Sequence, residues 1–146
     1  QSFRGVGYKG QTTCADTPAT QDLSGGVLPA TPEWKFTLAA SYLIPLPSMP
    51  FDLEINGNYR YQDEVQFLIE QDIYTTEDDY GILDLSLVAL DHAEHYTVTL
   101  FTKNVFDEWY VTSINAFADT FTPNGYGHQV PRYAERTFGI EARYRW

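Results

Sequence analysis

Cysteine and basic residues are scarce in this sequence. Cys14 is the single cysteine, so a disulfide within these residues is impossible and a zinc site made of four cysteines is excluded. Lysine and arginine number 9 against 20 acidic residues, which gives a formal net charge of -11. Because such a chain repels phosphate backbones, the charge balance argues against a nucleic-acid partner.

Long apolar runs are missing as well. A transmembrane helix needs about 18 or more apolar residues in succession. The best candidate, residues 36–51, is interrupted by Pro45, Pro47 and Pro50, and proline breaks a helix interior. The chain begins at Gln1 without the basic and short apolar segments of a secretory signal. We therefore expect that a leader was removed or that the chain is part of a longer protein.

Aromatic residues, in contrast, are abundant. They make up 16% of the chain, with 11 tyrosines and 3 tryptophans. Disordered chains are poor in aromatic residues, so this fraction predicts a folded protein despite the charge. The length of 146 residues suits one domain, and we expect residues 1–146 to belong to a single domain.

The dominant pattern is an alternation of apolar and polar residues with a period of two. This period is typical of β-strands that have one apolar and one polar face. Five strands are predicted in this way, at residues 34–42, 51–62, 81–90, 96–106 and 137–146. A sixth strand is expected at residues 1–8, although glycine at positions 5 and 7 lowers its strand propensity.

The connections between these strands alternate between long and short. The long ones cover residues 9–32, 63–79 and 111–132, and the short ones cover 44–50 and 91–95. Outer-membrane β-barrels have short periplasmic turns and longer extracellular loops, and strands of about 10 residues that cross the bilayer at a tilt. The pattern predicts an all-β, antiparallel, up-and-down transmembrane β-barrel segment, with the long connections outside the cell.

Two further observations bear on the barrel. Aromatic residues are expected at strand ends, as in the interfacial girdles of membrane barrels; they are Trp34, Tyr42, Tyr59, Tyr61, Trp109 and Tyr110. Five or six strands are fewer than the eight of the smallest outer-membrane barrels. Since unpaired strand edges have no partners in lipid, either more strands must precede Gln1 or several chains must combine.

A soluble protein remains an alternative at this point. A secreted β-sandwich also has alternating strands, and its apolar faces would pack together in the interior. In that fold the aromatic residues would form a binding platform, for example for carbohydrate. A small barrel enzyme is a third and weaker possibility.

Residues 103–110 resemble the Asn-Leu-Phe-Asp-x-x-Tyr stretch near the end of TonB-dependent receptors. The matching residues are Asn104, Phe106, Asp107 and Tyr110, and Val105 replaces the leucine. Residues 136–139, Arg-Thr-Phe-Gly, resemble the family's next landmark, and Trp146 replaces the usual terminal phenylalanine. Residues 10–12, 23–25 and 30–34 are similar to a loop and to the start of a strand that lie two hairpins earlier in many members of this family.

The resemblance implies the final five or six strands of a 22-stranded barrel in the outer membrane of a Gram-negative bacterium. It also implies a plug domain and a TonB-contacting segment that these residues do not contain. The expected function is uptake of a scarce nutrient, such as a siderophore, by a receptor without enzymatic activity or cofactor. The expected partners are outer-membrane lipid and lipopolysaccharide, the TonB complex, the small-molecule substrate and the barrel-assembly machinery.

In resembling receptors the assembly machinery recognises an aromatic-ended last strand. The residues implied here are Phe138, Ile140, Ala142, Tyr144 and Trp146. On the opposite face, charged side chains are expected to line an aqueous interior; they are Asp52, Glu54, Arg60, Lys103, Glu141, Arg143 and Arg145. We interpret these charges as wall structure rather than as ligand contacts.

Other constellations are less informative. Asp91, His92, Glu94 and His95 combine metal-binding residue types, but a two-strand turn gives them no fixed scaffold, so a solvated periplasmic turn is favoured.

The acidic pairs at 63–64 and 78–79 are not accompanied by a catalytic motif. The acidic segment 63–79 fits a solvated loop, a divalent-cation bridge to lipopolysaccharide or steering of a cationic ligand. For Cys14, an extracellular position predicts a disulfide partner upstream of Gln1.

Overall fold

The computed structural model of the chain describes residues 25–69, 71, 73–117 and 125–146. The strand predicted at 1–8 and Cys14 lie outside the described residues. The contacts divide the chain into two compact units. The sheet unit comprises Lys35–Gln62, Tyr80–Trp109 and Arg132–Trp146, and the loop unit comprises Gln1–Trp34, Asp63–Asp79 and Tyr110–Pro131.

The described residues form nine strands and one short 3-10 helix at Ile73–Thr75. In chain order the strands are β1 (Lys35–Ile44), β2 (Phe51–Gln62), β3 (Val65–Gln66), β4 (Thr76–Glu77), β5 (Tyr80–Asp91), β6 (Tyr96–Lys103), β7 (Ser113–Phe117), β8 (Gly125–Gln129) and β9 (Thr137–Tyr144). No helix in the described ranges is long and apolar enough to cross a membrane. The predicted all-β class is confirmed.

The sheet unit contains a five-stranded sheet in the order β1-β2-β5-β6-β9. Every neighbouring pair is antiparallel, as predicted. The short turns at 45–50 and 92–95 leave one end of this sheet, and the long connections leave the other. Within the described part of the chain β1 and β9 are the two edges, so the sheet is open.

The register places apolar residues opposite apolar residues across the whole sheet. One row comprises Tyr42, Ile55, Leu87, Leu100 and Ile140, each directly opposite the next. Since directly opposite residues point to the same face, this row and its equivalents form one continuous surface, the apolar face. Residues of the other parity form the polar face, and one of its rows begins with Ser41, Asn56 and Ser86.

The two faces differ in curvature as well as in chemistry. The polar face lines a cleft of about 880 Å³ to which all five strands contribute. The cleft indicates that the sheet curves toward its polar side. The apolar face is therefore convex, and its side chains are exposed: Leu38 by 62%, Leu100 by 49% and Ile140 by 70%.

The loop unit has a small core of its own. β3 pairs with β4 and β7 pairs with β8, both antiparallel. Val65, Val111 and Ile114 are buried. Residues 63–79 and 111–132, predicted to be long loops, thus contain two antiparallel strand pairs. Side-chain hydrogen bonds support the first hairpin, because the Thr75 hydroxyl donates to Gln66 Oε1 at 2.7 Å.

Several predicted boundaries are wrong. β6 ends at Lys103 rather than at 106, because the next residue, Asn104, has a φ of +50°. β9 ends at Tyr144, although the backbone N–H of Arg145 still donates to His95 O at 2.9 Å. Trp109 and Tyr110 follow the turn after β6 and lie outside any strand. The prediction that they lie at a strand end is therefore wrong.

Candidate functional site

Asn104, the first residue of the 104–110 motif, is 1% exposed. Its side-chain nitrogen donates to the carbonyl oxygens of Glu108 at 2.8 Å and Ala134 at 2.9 Å. Its side-chain oxygen accepts from the Glu108 N–H at 3.0 Å. Asparagine tolerates a positive φ better than most residues, so one side chain both ends β6 and holds the backbone that follows.

Asp107 and Arg136 form the second part of this arrangement. Asp107 has a φ of +58°, and its Oδ1 accepts from the backbone N–H of Arg136 at 2.8 Å. The Arg136 guanidinium donates to Val105 O at 3.3 Å and lies 3.8 Å from Asp107 Oδ2. The start of β9 is thereby attached to the end of β6.

Asp84 extends the network into the sheet. Its Oδ1 accepts from the backbone N–H of Asn104 at 2.9 Å, and its Oδ2 lies 3.3 Å from the Arg60 guanidinium. We call Asp84, Asn104, Asp107 and Arg136 the loop-base cluster. It joins β5, the end of β6 and the start of β9 at the point where the long connection leaves the sheet.

The other two motif residues do not belong to this cluster. The Phe106 side chain is 60% exposed. Tyr110 is half-buried and belongs to the loop unit. The structure therefore brings together the polar residues of the motif, whereas the Phe106 side chain is exposed.

The aromatic-ended stripe of the last strand is entirely exposed. Its members are Phe138, Ile140, Ala142, Tyr144 and Trp146. Phe138 is 72% exposed and Trp146 is 96% exposed. At the start of the stripe the Arg136 guanidinium lies 5.9 Å from the centroid of the Phe138 ring, a distance at which a cation and a ring attract each other.

Aromatic rings mark both ends of the apolar face. At the end with the long connections, Phe36 stacks on Tyr61 with centroids 5.2 Å apart. At the end with the short turns, Tyr96 and Tyr144 are 5.0 Å apart and Trp146 lies 6.5 Å from Tyr144. The residues between these ends are small or aliphatic; they include Leu38, Ala40, Ile55, Gly57, Leu85, Leu87, Val98 and Leu100.

The polar face is rich in neutral polar groups and contains paired charges. Arg60 is paired with Asp84, and the Arg143 guanidinium lies 3.2 Å from Glu141 Oε1. The neutral residues that line the cleft include Thr37, Ser41, Asn56, Asn58, Ser86 and Thr99. These are the properties of a water-exposed surface with some structural ion pairs.

The two short turns are connected to each other. His92 Nε2 lies 3.0 Å from Asp52 Oδ1, which also accepts from the backbone N–H of Leu46 at 2.7 Å. The His95 N–H donates to Asp91 Oδ2 at 3.2 Å. Within the described ranges no three His, Cys, Asp or Glu side chains form a group suited to a metal ion. His92 and Asp91 therefore have structural contacts within the turns.

Glu77 connects two segments of the loop unit. Its Oε1 accepts from the backbone N–H of Val111 at 2.8 Å. Burial raises the pKa of Glu77 above its ordinary value, the hydrogen bond from Val111 opposes this, Asp78 raises the pKa further and His128 lowers it. A half-buried carboxylate thus holds the start of the 111–132 segment.

Three residues have specific roles that the sequence did not predict, although Gly139 belongs to the Arg-Thr-Phe-Gly landmark. Asp84 and Glu77 each resemble any polar residue of an alternating strand or acidic segment. Gly139 lies directly opposite Phe101, and a Cβ added at Gly139 would overlap the Phe101 ring. Only the cross-strand register shows this relationship; the presence of an aromatic residue on a polar face was the one available hint.

Comparison with protein-family models, with curated proteins and with solved structures finds no match to this chain. The function is therefore inferred from its own geometry: two chemically opposite faces, aromatic rings at both ends of one face, and a hydrogen-bonded cluster where the long connection begins.

Proposed function

We propose that this chain is the last part of an outer-membrane β-barrel, and that the whole protein is a TonB-dependent receptor that takes up a scarce nutrient such as a siderophore. The observation that carries the proposal is the distribution of side chains over the sheet. The apolar residues of the five strands are concentrated on the convex face, and the cleft on the concave face is lined mainly by polar residues, although Ile82, Val88 and Leu90 of β5 also lie on that side.

This distribution is the reverse of what a soluble sheet needs. In a sandwich the apolar face of each sheet packs inward against a second layer. A membrane barrel has the opposite arrangement, because its outer surface contacts lipid and its interior contacts water. The concave polar side and the exposed side chains of Leu38, Leu100 and Ile140 support the second arrangement.

The dimensions of the apolar face agree with a bilayer. From Phe36 to Ile44 the chain extends about 26 Å, at roughly 3.3 Å per residue. Barrel strands tilt by about 40°, so this stretch would cross about 20 Å, close to the apolar band of about 25 Å in such barrels. The aromatic pairs at both ends would lie at headgroup depth.

The proposal of a TonB-dependent receptor depends on the motif residues. Asn104, Asp107 and Arg136 belong to two separate sequence landmarks, and the fold places them in one cluster. In the proposed receptor, lipid and lipopolysaccharide contact the apolar face, the assembly machinery binds the last strand, and the TonB complex acts through a preceding region. We propose no enzymatic activity.

The proposal is tested with two neighbouring residues on β6. Leu100 belongs to the apolar face and Thr99 to the polar face, opposite Ile140 and Glu141 respectively. Leu100→Cys and Thr99→Cys are made in the whole protein with Cys14 and every cysteine upstream of Gln1 replaced by serine, and each is labelled with an environment-sensitive fluorophore. The Leu100→Cys label should be quenched by a lipid-phase quencher, and the Thr99→Cys label by an aqueous quencher.

Extraction provides an independent check. A receptor of this class should leave the membrane fraction only with detergent. If both labels are reached only by the aqueous quencher in a protein that is soluble without detergent, the membrane proposal is wrong. In that case the alternative of a secreted β-sandwich with a carbohydrate platform would be favoured.

A further inference from the structure

The pairing of β9 with β6 differs from the two hairpins with short turns in the way its register is set. The β1–β2 and β5–β6 connections are short and closed by backbone hydrogen bonds, from the Met49 N–H to Leu46 O and from the Glu94 N–H to Asp91 O, both at 2.9 Å. Such turns fix the register of their strands. Residues 104–136 separate β6 from β9, and a connection of this length does not fix a register.

Alternation alone does not fix the register of β9 either. The side chains of a strand repeat with a period of two, so a slip by two residues keeps every apolar residue on the apolar face. In the observed register Val98 is opposite Ala142 and Leu100 is opposite Ile140. After a slip by two, Val98 would be opposite Ile140 or Tyr144, which are also apolar. Some other feature must select one register.

The first such feature is the contact between Phe101 and Gly139. These residues are directly opposite each other on the polar face, and any Cβ at position 139 would overlap the ring. A slip by two residues would bring Thr137 or Glu141 opposite Phe101, and either side chain would occupy the space of the ring. The observed register is the one that places a glycine there.

The second feature is the loop-base cluster. Asn104 and Asp107 bind the Ala134 carbonyl and the Arg136 N–H, which immediately precede β9. Both side chains lie close to the last residue of β6. A slip by two residues would move the Arg136 N–H by roughly 7 Å along the strand, and both hydrogen bonds would be lost.

We propose that the Phe101–Gly139 contact and the loop-base cluster together determine the register of the last strand. One excludes the slipped registers by steric overlap, and the other stabilises the observed one by hydrogen bonds to the backbone. The inference goes beyond the proposed function and does not depend on it, since it concerns the pairing of β6 and β9 in water or in lipid. In a closed barrel the register of each pair also contributes to strand tilt and diameter.

Disulfide trapping in the whole protein, with Cys14 and every cysteine upstream of Gln1 replaced by serine, measures the register directly. A disulfide requires Cβ atoms about 3.8 Å apart, whereas residues two positions out of register are about 7 Å apart. Val98→Cys with Ala142→Cys reports the observed register. Val98→Cys with Ile140→Cys, and with Tyr144→Cys, report the two slipped registers. The yields are read by mass spectrometry of the digested protein.

In the otherwise unchanged protein only the Val98–Ala142 pair should give a high yield. Adding Asn104→Ala, Asp107→Ala and Gly139→Ala should raise the slipped yields by at least about tenfold, since each of the two lost hydrogen bonds shifts such an equilibrium about fivefold. Gly57→Ala is the matched control, because a Cβ at that position would lie 3.4 Å from Leu85 Cδ2, an ordinary contact. It should leave all three yields unchanged.

A folded triple variant that still traps only the Val98–Ala142 pair would overturn the proposal. If the triple variant does not accumulate, Gly139→Ala alone is compared with Gly139→Ala plus Phe101→Ala. Removal of the ring should restore the Val98–Ala142 yield that Gly139→Ala lowers. The proposal is also wrong if Gly139→Ala alone leaves that yield unchanged, or if removal of the ring fails to restore it.

Discussion

The carboxylate of Glu77 accepts a hydrogen bond of 2.8 Å from the backbone N–H of Val111, a fully buried residue. The two residues belong to the hairpin formed by β3 and β4 and to the segment that leads into β7. A single side chain therefore holds together two parts of the loop unit that are distant in sequence.

The first prediction concerns the pH dependence of this contact. Because burial raises the pKa of Glu77 in the folded state, the folded state binds a proton more readily than the unfolded state. The stability from this residue is thus present below its ordinary pKa and is lost as the pH rises through the raised value. Amide exchange at Val111, corrected for its intrinsic rate, should show weaker protection at pH 7 than at pH 4.

Two substitutions of Glu77 separate the effect of its charge from the effect of its hydrogen bond. Glu77→Gln retains an oxygen acceptor without the charge, and should remove the pH dependence. Glu77→Ala removes the acceptor and should speed exchange at Val111 by about five- to tenfold, for a hydrogen bond of about 1 kcal/mol. Glu64→Gln, at an exposed position of the same segment, is the control. Equal behaviour of Glu64→Gln and Glu77→Gln would contradict the prediction.

The second prediction concerns the buried amide of Asn104. Asn104→Ala leaves two carbonyl oxygens and one N–H without their partner. The free energy of unfolding should fall by about 3 kcal/mol, the cost of unsatisfied buried polar groups. Asn115→Ala is the control, since its amide donates only to Ser113 Oγ at 3.3 Å in an exposed position; it should change stability by less than about 0.5 kcal/mol. Urea titration of the folded protein gives both values.

The third prediction concerns Trp146. Its side chain is 96% exposed, so deleting it should barely change the melting temperature. In the proposed receptor the last strand is the signal for assembly, and deletion should lower the amount of protein in the outer membrane several-fold. Trp34→Ala removes another exposed tryptophan and should leave that amount unchanged. A large loss of thermal stability with normal membrane levels would mean that Trp146 is an ordinary packing residue.

The fourth prediction is the orientation of the connections. If the long connections face outward, protease added to intact cells should cut within residues 63–79 or 111–132. Exposed positions such as Ile69 and Ile73 are the expected sites in the first segment. The turns at 45–50 and 92–95 should be cut only after the outer membrane is opened. The reverse order of cleavage would mean that the proposed topology is inverted.

The five main strands were predictable because their signal is local. Each strand has one apolar face and one polar face, so the sequence alternates over the whole strand. The bounds of β2, Phe51–Gln62, were predicted correctly for this reason. The alternation also predicted which residues of β9 lie on the apolar face and which lie on the polar face.

The remaining features depend on contacts between distant residues. β3 and β4 are two residues each, too short for any periodicity, and are supported by the Gln66–Thr75 hydrogen bond. The resemblance identified Asn104 and Asp107, but their burial and their attachment to the start of β9 depend on how residues 104–136 return to the sheet. No local pattern indicates that Asp84 accepts a hydrogen bond from Asn104.

The small core of the loop unit has a consequence for recognition. Ordering one backbone residue costs about 1–2 kcal/mol, and a flexible loop loses that amount again each time it is immobilised by a partner. Hairpins that already bury Val65, Val111 and Ile114 avoid most of this loss. An antibody or phage protein that binds this surface would therefore recognise a shape rather than a linear peptide, and should fail to bind the heat-denatured chain.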